Sequence, residues 1–276
     1  MLKTRIITAI VLLAVLLPVL YFNNPIAFAV VVTLFFGAAI WEGFRLFNPQ
    51  SKNALVISLF WSAAFAYTFF VAEQRQTMFW FAISALIWVM RLAPSLKLGL
   101  PALDSGGNTL LSLTYAVAIV ACFAAIVVLY RHSGLYLLSV MVLVWIADIG
   151  AYAAGKAFGK HKLAPSISPG KSWEGAIGGA IAVVLLATLS VVLGGDALAD
   201  TFSARVQARF GWAALAAILI VVAAASVVGD LFESQLKRRA GAKDSSKLLP
   251  GHGGVLDRID ALIPVLPLAA LIDTWL

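Results

Sequence analysis

Nine stretches of this chain are apolar for long enough to cross a bilayer as helices, and no other feature constrains the fold as tightly. A helix rises about 1.5 Å per residue, so a hydrocarbon core of about 30 Å needs roughly 17–25 mainly apolar residues. The runs fall at about 5–22, 25–47, 54–72, 77–93, 109–130, 135–158, 174–195, 212–237 and 259–275. Of the 276 residues, 62% are hydrophobic and 12% charged, whereas a soluble domain is nearer half apolar and a quarter charged. The predicted fold is all-α: a polytopic integral membrane protein of about nine transmembrane helices. One membrane-embedded domain, 1–276, is the simplest organisation. Residues 1–130 would be a helical scaffold for lipid or dimer contacts, and 135–276 would carry the chemistry.

The connections are short. Asn23–Asn24–Pro25 reads as a tight turn, and 94–108 as a Pro/Gly/Ser connector with room for a short interfacial helix. Lys3 and Arg5 before an apolar run imitate a signal peptide, but no small-x-small cleavage site follows, so the run reads as an uncleaved first span. The single cysteine, Cys122, excludes an internal disulfide and a Cys-rich metal site.

The net charge of +7 would suggest nucleic acid in a soluble protein. Here it is a topology signal, because cytoplasmic loops of membrane proteins collect Lys and Arg, and no nucleic-acid partner is expected. With the N-terminus cytoplasmic and nine spans, 16 of the 20 Lys and Arg fall inside; Arg75, Arg131, Arg205 and Arg209 fall outside. The two richest loops, 159–173 and 238–258, then share the cytoplasmic face.

Ionisable residues inside spans are costly and mark pairs or functional sites. Glu42 reads either as such a residue or as an interfacial partner of Arg45. Asp148, Tyr152 and Gly155 share one helix face, as do Ser226, Asp230, Glu233 and Lys237. Asp257 and Asp260 open the ninth run, where simple helix capping is an alternative. With Asp230 they also make a set of hard oxygen ligands that suits Mg²⁺ held jointly with substrate phosphates. In the loop, Gly251, Gly253 and Gly254 flank His252, and such glycines let backbone N–H groups approach phosphate; a plain tight turn would also need them. Lys237, Arg238, Lys243 and Lys247 supply positive charge. Upstream, Lys171, Ser172 and Glu174 precede or open the seventh run, as an anion site or as a helix cap with an acidic first turn. Neither a P-loop nor an HExxH pattern is present.

The stretch from Ser234 to Asp260, SQLKRRAGAKDSSKLLPGHGGVLDRID, resembles the signature of the phosphatidate cytidylyltransferases. Ser234, Lys237, Arg238, Lys243, Asp244, Pro250, His252, Gly253, Gly254, Asp257, Arg258 and Asp260 all meet that pattern. The segment from Asp148 to Gly175 is similar to the same family. The resemblance covers about 145–262. It implies a multi-span, dimeric enzyme that joins CTP and phosphatidic acid to give CDP-diacylglycerol and pyrophosphate. It also implies Mg²⁺, with K⁺ as a candidate second ion, held by Asp230, Asp257 and Asp260. Lys237, Arg238, Lys243, His252 and Arg258 are the candidates for phosphate contacts, supported by Lys171, Ser172 and the Gly253–Gly254 backbone. Asp148 and Glu174 complete the set. The expected location is the bacterial inner membrane with the site facing the cytoplasm. A CTP-dependent lipid-alcohol kinase, an ion-coupled transporter and an assembly protein are the rival classes. The signature and the position of the acids near helix ends disfavour them.

Overall fold

The computed structural model describes residues 2–22, 24–72 and 76–276, with side chains throughout except at 2–6 and 9. Asn23 of the expected first turn, Arg75, and the Lys3 and Arg5 side chains lie outside the described residues.

Helix α1 (Leu2–Tyr21) is followed by α2 (Pro25–Phe47). Asn24 starts α2: its Oδ1 accepts from the Ile26 and Ala27 N–H groups at 3.0 Å, and Pro25 takes a first-turn place where no N–H is needed. Helix α3 (Ala54–Ala66) runs on through a π-helical turn at Tyr67–Val71. Helix α4 (Met78–Ile87) passes through a second π turn, Trp88–Leu92, into α5 (Ala93–Leu98). The expected connector at 94–108 is therefore helical as far as Leu98. The helix stops at Gly99, whose φ of 84° favours glycine.

Helices α6 (Gly106–His132) and α7 (Gly134–Phe158) meet at Ser133, whose Oγ accepts the Tyr136 N–H at 3.0 Å and caps α7. A β-hairpin then interrupts the helices: β1 (Lys162–Ala164) pairs antiparallel with β2 (Ser168–Ser172). The end of β2 leads directly into α8 (Trp173–Leu193), because the Ser172 Oγ accepts the Gly175 N–H at 3.1 Å. Helix α9 (Phe202–Arg239) is broken at Gly211, where φ is 82°. The apolar run expected from residue 212 begins just after this break. A short α10 (Leu256–Ile259) and α11 (Leu262–Asp273) end the chain.

Seven helical runs among the described residues are long and apolar enough to cross a membrane, from Pro25–Phe47 through Phe202–Arg239. The chain is an integral membrane protein with an all-α transmembrane body. The first expected run lies in the 20-residue α1, in which Ile10–Tyr21 is the apolar part whose side chains are all described. The last becomes α11, whose 12 residues reach about 18 Å. Its apolar sequence serves the protein core: Leu262 to Pro267, Ala269 and Ala270 are buried against α4, α6 and α9.

Small residues join α7 to α8. A Cβ on Gly178 would lie 2.2 Å from the Ala154 Cβ, and one on Gly179 would lie 2.5 Å from the Ala147 carbonyl oxygen. Helices in lipid associate through such close backbone approach. At the opposite end of α7, His132 Nε2 lies 2.7 Å from Asp200 Oδ1, and Ser133 Oγ donates to Asp200 Oδ2 at 2.9 Å. This cluster ties the α6–α7 junction to the segment leading into α9.

Candidate active site

The polar face expected on α9 is present, and Ser226, Asp230 and Lys237 each reach a different element. Ser226 Oγ lies 3.5 Å from Asp148 Oδ1 on α7. Asp230 Oδ2 is 2.5 Å from the Lys171 ammonium on β2. Glu233, fully buried, pairs with Lys237 one turn on, and Lys237 Nζ also lies 2.6 Å from Asp257 Oδ1 on α10. Helical spacing thus sets out a row of polar groups, and the hairpin and the basic loop close over it.

All of these groups except Ser226 and Glu233 line one cavity of about 640 Å³. Asp148, Lys171, Ser172, Asp230, Lys237, Asp257, Arg258 and Asp260 all border it, together with Tyr152, Lys156 and Asp244. At Asp148, Asp257, Arg258 and Asp260 it adjoins a second, apolar cavity of about 390 Å³ between α1, α2, α6 and α7. Leu16, Phe28, Val32, Phe35, Met141 and Trp145 are among the walls of this groove.

Asp257 is the most heavily engaged of the three signature aspartates. Its Oδ1 takes the Lys237 ammonium, and its Oδ2 accepts from the Ser245 and Gly254 N–H groups and from Ser245 Oγ, each at 2.8 Å. Burial works against its ionisation. The Lys237 ammonium and the Gly254 and Ser245 N–H groups outweigh that and hold the carboxyl below the ordinary carboxylate value. Two of the glycines expected to approach phosphate, Gly253 and Gly254, lie against this carboxylate. A Cβ on Gly253, at φ 86°, would lie 2.6 Å from Asp257 Oδ2, and the Gly254 N–H points at the same oxygen.

Other expected residues lie elsewhere. Glu174 does not border the cavity; its oxygens take the His161 backbone N–H at 3.2 Å and lie 2.6 Å from His161 Nδ1, fastening the start of the hairpin. His252 borders the apolar groove, and its carbonyl accepts from Arg258 at 2.9 Å. Lys243 lines a separate depression of about 720 Å³ with Trp41, Arg45 and Lys247. Arg238 is exposed and borders none of these three cavities. Among the described residues, no three His, Cys, Asp or Glu side chains are grouped so as to hold a metal ion by themselves. The paired role expected of Glu42 and Arg45 is also absent: the Arg45 guanidinium sits over the Trp41 ring at 4.6 Å, and Glu42 turns to the basic loop. Glu42, Ser245 and Ser246 are the site-supporting residues that spacing rules did not reveal. No helical period links α2 to a loop 200 residues further on.

A model of the cytidylyltransferase family matches residues 3–275. A phosphatidate cytidylyltransferase of Haemophilus influenzae is 37% identical, with 97% of this chain and 96% of that protein covered. One of Pseudomonas aeruginosa is 39% identical, covering 98% and 96%. One of Brucella suis is 49% identical over 124 residues, 44% of this chain and 40% of that protein. The match to the family runs from the first helix through α11, well beyond the signature loop, and the chain belongs to the cytidylyltransferase family.

Proposed function

We propose that this chain is a phosphatidate cytidylyltransferase, transferring CMP from CTP to phosphatidic acid to give CDP-diacylglycerol and pyrophosphate. The observation that carries this reading is the shared wall of the two cavities. A chamber lined by lysines and carboxylates suits a nucleotide triphosphate, the adjoining apolar groove suits acyl chains, and Asp148, Asp257, Arg258 and Asp260 stand where they meet.

The reaction joins two anions. A phosphate oxygen of the lipid attacks the α-phosphorus of CTP, a P–O bond forms, and the bond to the β-phosphate oxygen breaks as pyrophosphate leaves. The phosphate monoester is largely ionised near neutral pH, so no strong general base is required. Lys171, Lys237 and Arg258 place positive charge along the chamber, and fixed charge aimed at developing negative charge lowers the barrier. The apolar groove would hold the lipid so that its phosphate meets the nucleotide at the cavity junction, converting encounter into a positioned reaction.

Mg²⁺ is the cofactor of this proposal, with K⁺ as a candidate second ion. Asp230, Asp257 and Asp260 would supply carboxylate oxygens to it, with substrate phosphates completing its ligands. The donor set fits: all are hard oxygens, and the Lys171 and Lys237 ammonium groups now stand as counter-cations on Asp230 and Asp257. When bound, the ion would neutralise phosphate charge. The N-terminus and both basic loops belong on the cytoplasmic side of a bacterial inner membrane in this reading, supported by the charge bias and by Lys171 and Arg258 lining one cavity. A homodimer is part of the same proposal, tested by the mass of the purified protein in detergent.

The deciding experiment supplies purified protein with phosphatidic acid, Mg²⁺ and CTP labelled at the α or the γ phosphate. Label from the α position in the lipid product, with pyrophosphate released, establishes the transfer. Label from the γ position on an added lipid alcohol replaces it with a kinase.

A further inference from the structure

Glu42 is fully buried near the end of α2, and the reaction above makes no use of it. Its two oxygens are nonetheless the most connected acceptors around the basic loop apart from those of Asp257. Oε1 accepts from Ser246 Oγ at 2.5 Å and from the Val255 N–H at 3.1 Å. Oε2 accepts from the Leu256 N–H at 2.6 Å and lies 3.1 Å from Ser245 Oγ. Among the described residues it has no Lys or Arg partner. A buried carboxylate without a counter-ion is expensive unless donors engage its lone pairs; the Ser246 hydroxyl and the Val255 and Leu256 N–H groups do so, and the one Ser245 hydroxyl proton is shared with Asp257.

The contacts join the middle of the loop to its C-terminal end. Ser245 and Ser246 lie at its middle, and Val255 and Leu256 at its return into α10. Ser245 Oγ is also 2.8 Å from Asp257 Oδ2, so one hydroxyl lies between the carboxylates of Glu42 and Asp257. Gly254 fits the same arrangement, since a Cβ there would fall 2.3 Å from Glu42 Oε1 and 2.1 Å from Ser245 Oγ.

We propose that Glu42 is a positioning residue for the transfer reaction: it clamps the loop from Ser245 to Leu256 and, through Ser245, fixes the orientation of Asp257. The kinetic part of this proposal rests on the cytidylyltransferase reading; the clamp itself does not.

Glutamine at this position separates charge from shape. Each oxygen of Glu42 receives one backbone N–H, so an amide must point its NH₂ at a backbone donor in either orientation. Glu42→Asp keeps both acceptors and retracts them by one methylene. The test measures hydrogen–deuterium exchange across 243–260, together with kcat and both KM values, in full-length wild type, Glu42→Gln, Glu42→Asp and Ser246→Ala in detergent. Expected for Glu42→Gln is faster exchange confined to this loop and a fall in kcat of about 100-fold, with both KM values little changed and Glu42→Asp recovering much of each loss. Unchanged loop exchange in Glu42→Gln, or a loss carried wholly by KM, overturns the proposal. Should Glu42→Gln fail to fold, Ser246→Ala decides: faster loop exchange supports the clamp, and wild-type exchange refutes it. A wild type that transfers no label refutes the enzymatic reading while the exchange comparison still decides the clamp.

Discussion

Lys237 Nζ stands 2.6 Å from Asp257 Oδ1 and joins the last turn of α9 to α10 across the whole basic loop. Both side chains are largely buried, at 12% and 5% exposure, so this pair is shielded from the solvent that weakens surface ion pairs. Asp257→Asn keeps the shape and removes the charge. Expected is a fall in turnover of about 1,000-fold in protein that still folds and inserts, read from kcat together with elution volume in detergent. Near-wild-type turnover would remove Asp257 from the site.

Chelation tests the oxygen set as a whole. EDTA is expected to abolish transfer, and added Mg²⁺ to restore it, because two anionic substrates must be neutralised in one chamber. Binding of Mg²⁺ to the isolated protein, followed by calorimetry, is expected to weaken in Asp230→Asn and Asp260→Asn. Turnover that persists in chelator would overturn the ion's role.

The α7–α8 contact holds Asp148 and Lys171 on facing elements. Gly179→Ala forces a methyl to 2.5 Å from the Ala147 carbonyl, a backbone atom that cannot swing aside. Expected is a loss of about 1–3 kcal/mol in stability, with reduced kcat as the two elements separate. Gly106→Ala is the control, since a Cβ at Gly106 meets nothing within 4 Å. Thermal unfolding in detergent checks both.

The far-end cluster gives a pH prediction. Burial opposes ionisation of Asp200, but hydrogen bonds from His132 and Ser133 and the nearby Arg205 charge hold its carboxyl below the ordinary value. A folded-state value below the unfolded one means that the stabilisation is complete above the unfolded value, about 4. It is lost as pH falls through the folded value. Asp200→Asn is therefore expected to lower the unfolding temperature at neutral pH, to converge with wild type in acid, and to leave transfer activity intact. Equal unfolding temperatures at neutral pH would show that Asp200 contributes nothing.

Much of this was legible in the chain. Apolar run length identified the membrane helices, and i, i+4 spacing placed Ser226, Asp230, Glu233 and Lys237 on one face that the structure turns towards Asp148, Lys171 and Asp257. The last apolar run falls on α11, 12 residues long and largely buried, and hydropathy by itself does not separate a buried core helix from a lipid-facing span. The hairpin at 162–172 escaped because its strands are very short and carry no alternation. Glu42 stands out as an ionisable residue in an apolar run, but helical spacing offers it only Arg45, because sequence proximity says nothing about a partner loop brought up by tertiary packing.

Lys171 and Lys243 separate two placements of the nucleotide. Lys171 lies 2.5 Å from Asp230 Oδ2 and borders the chamber that adjoins the apolar groove. Lys243 points into the depression beside Trp41, across the Ser245–Ser246 segment. If the triphosphate lies in the chamber, removal of Lys171 deprives it of a cation and leaves Asp230 unneutralised against an incoming anion. Lys171→Ala is then expected to lower kcat/KM for CTP by about 100-fold, and Lys243→Ala by much less. Steady-state kinetics on the two variants, side by side, decides the matter. The reverse order of effects would move the nucleotide to the depression lined by Trp41, Arg45 and Lys243, and leave the chamber to the lipid phosphate alone.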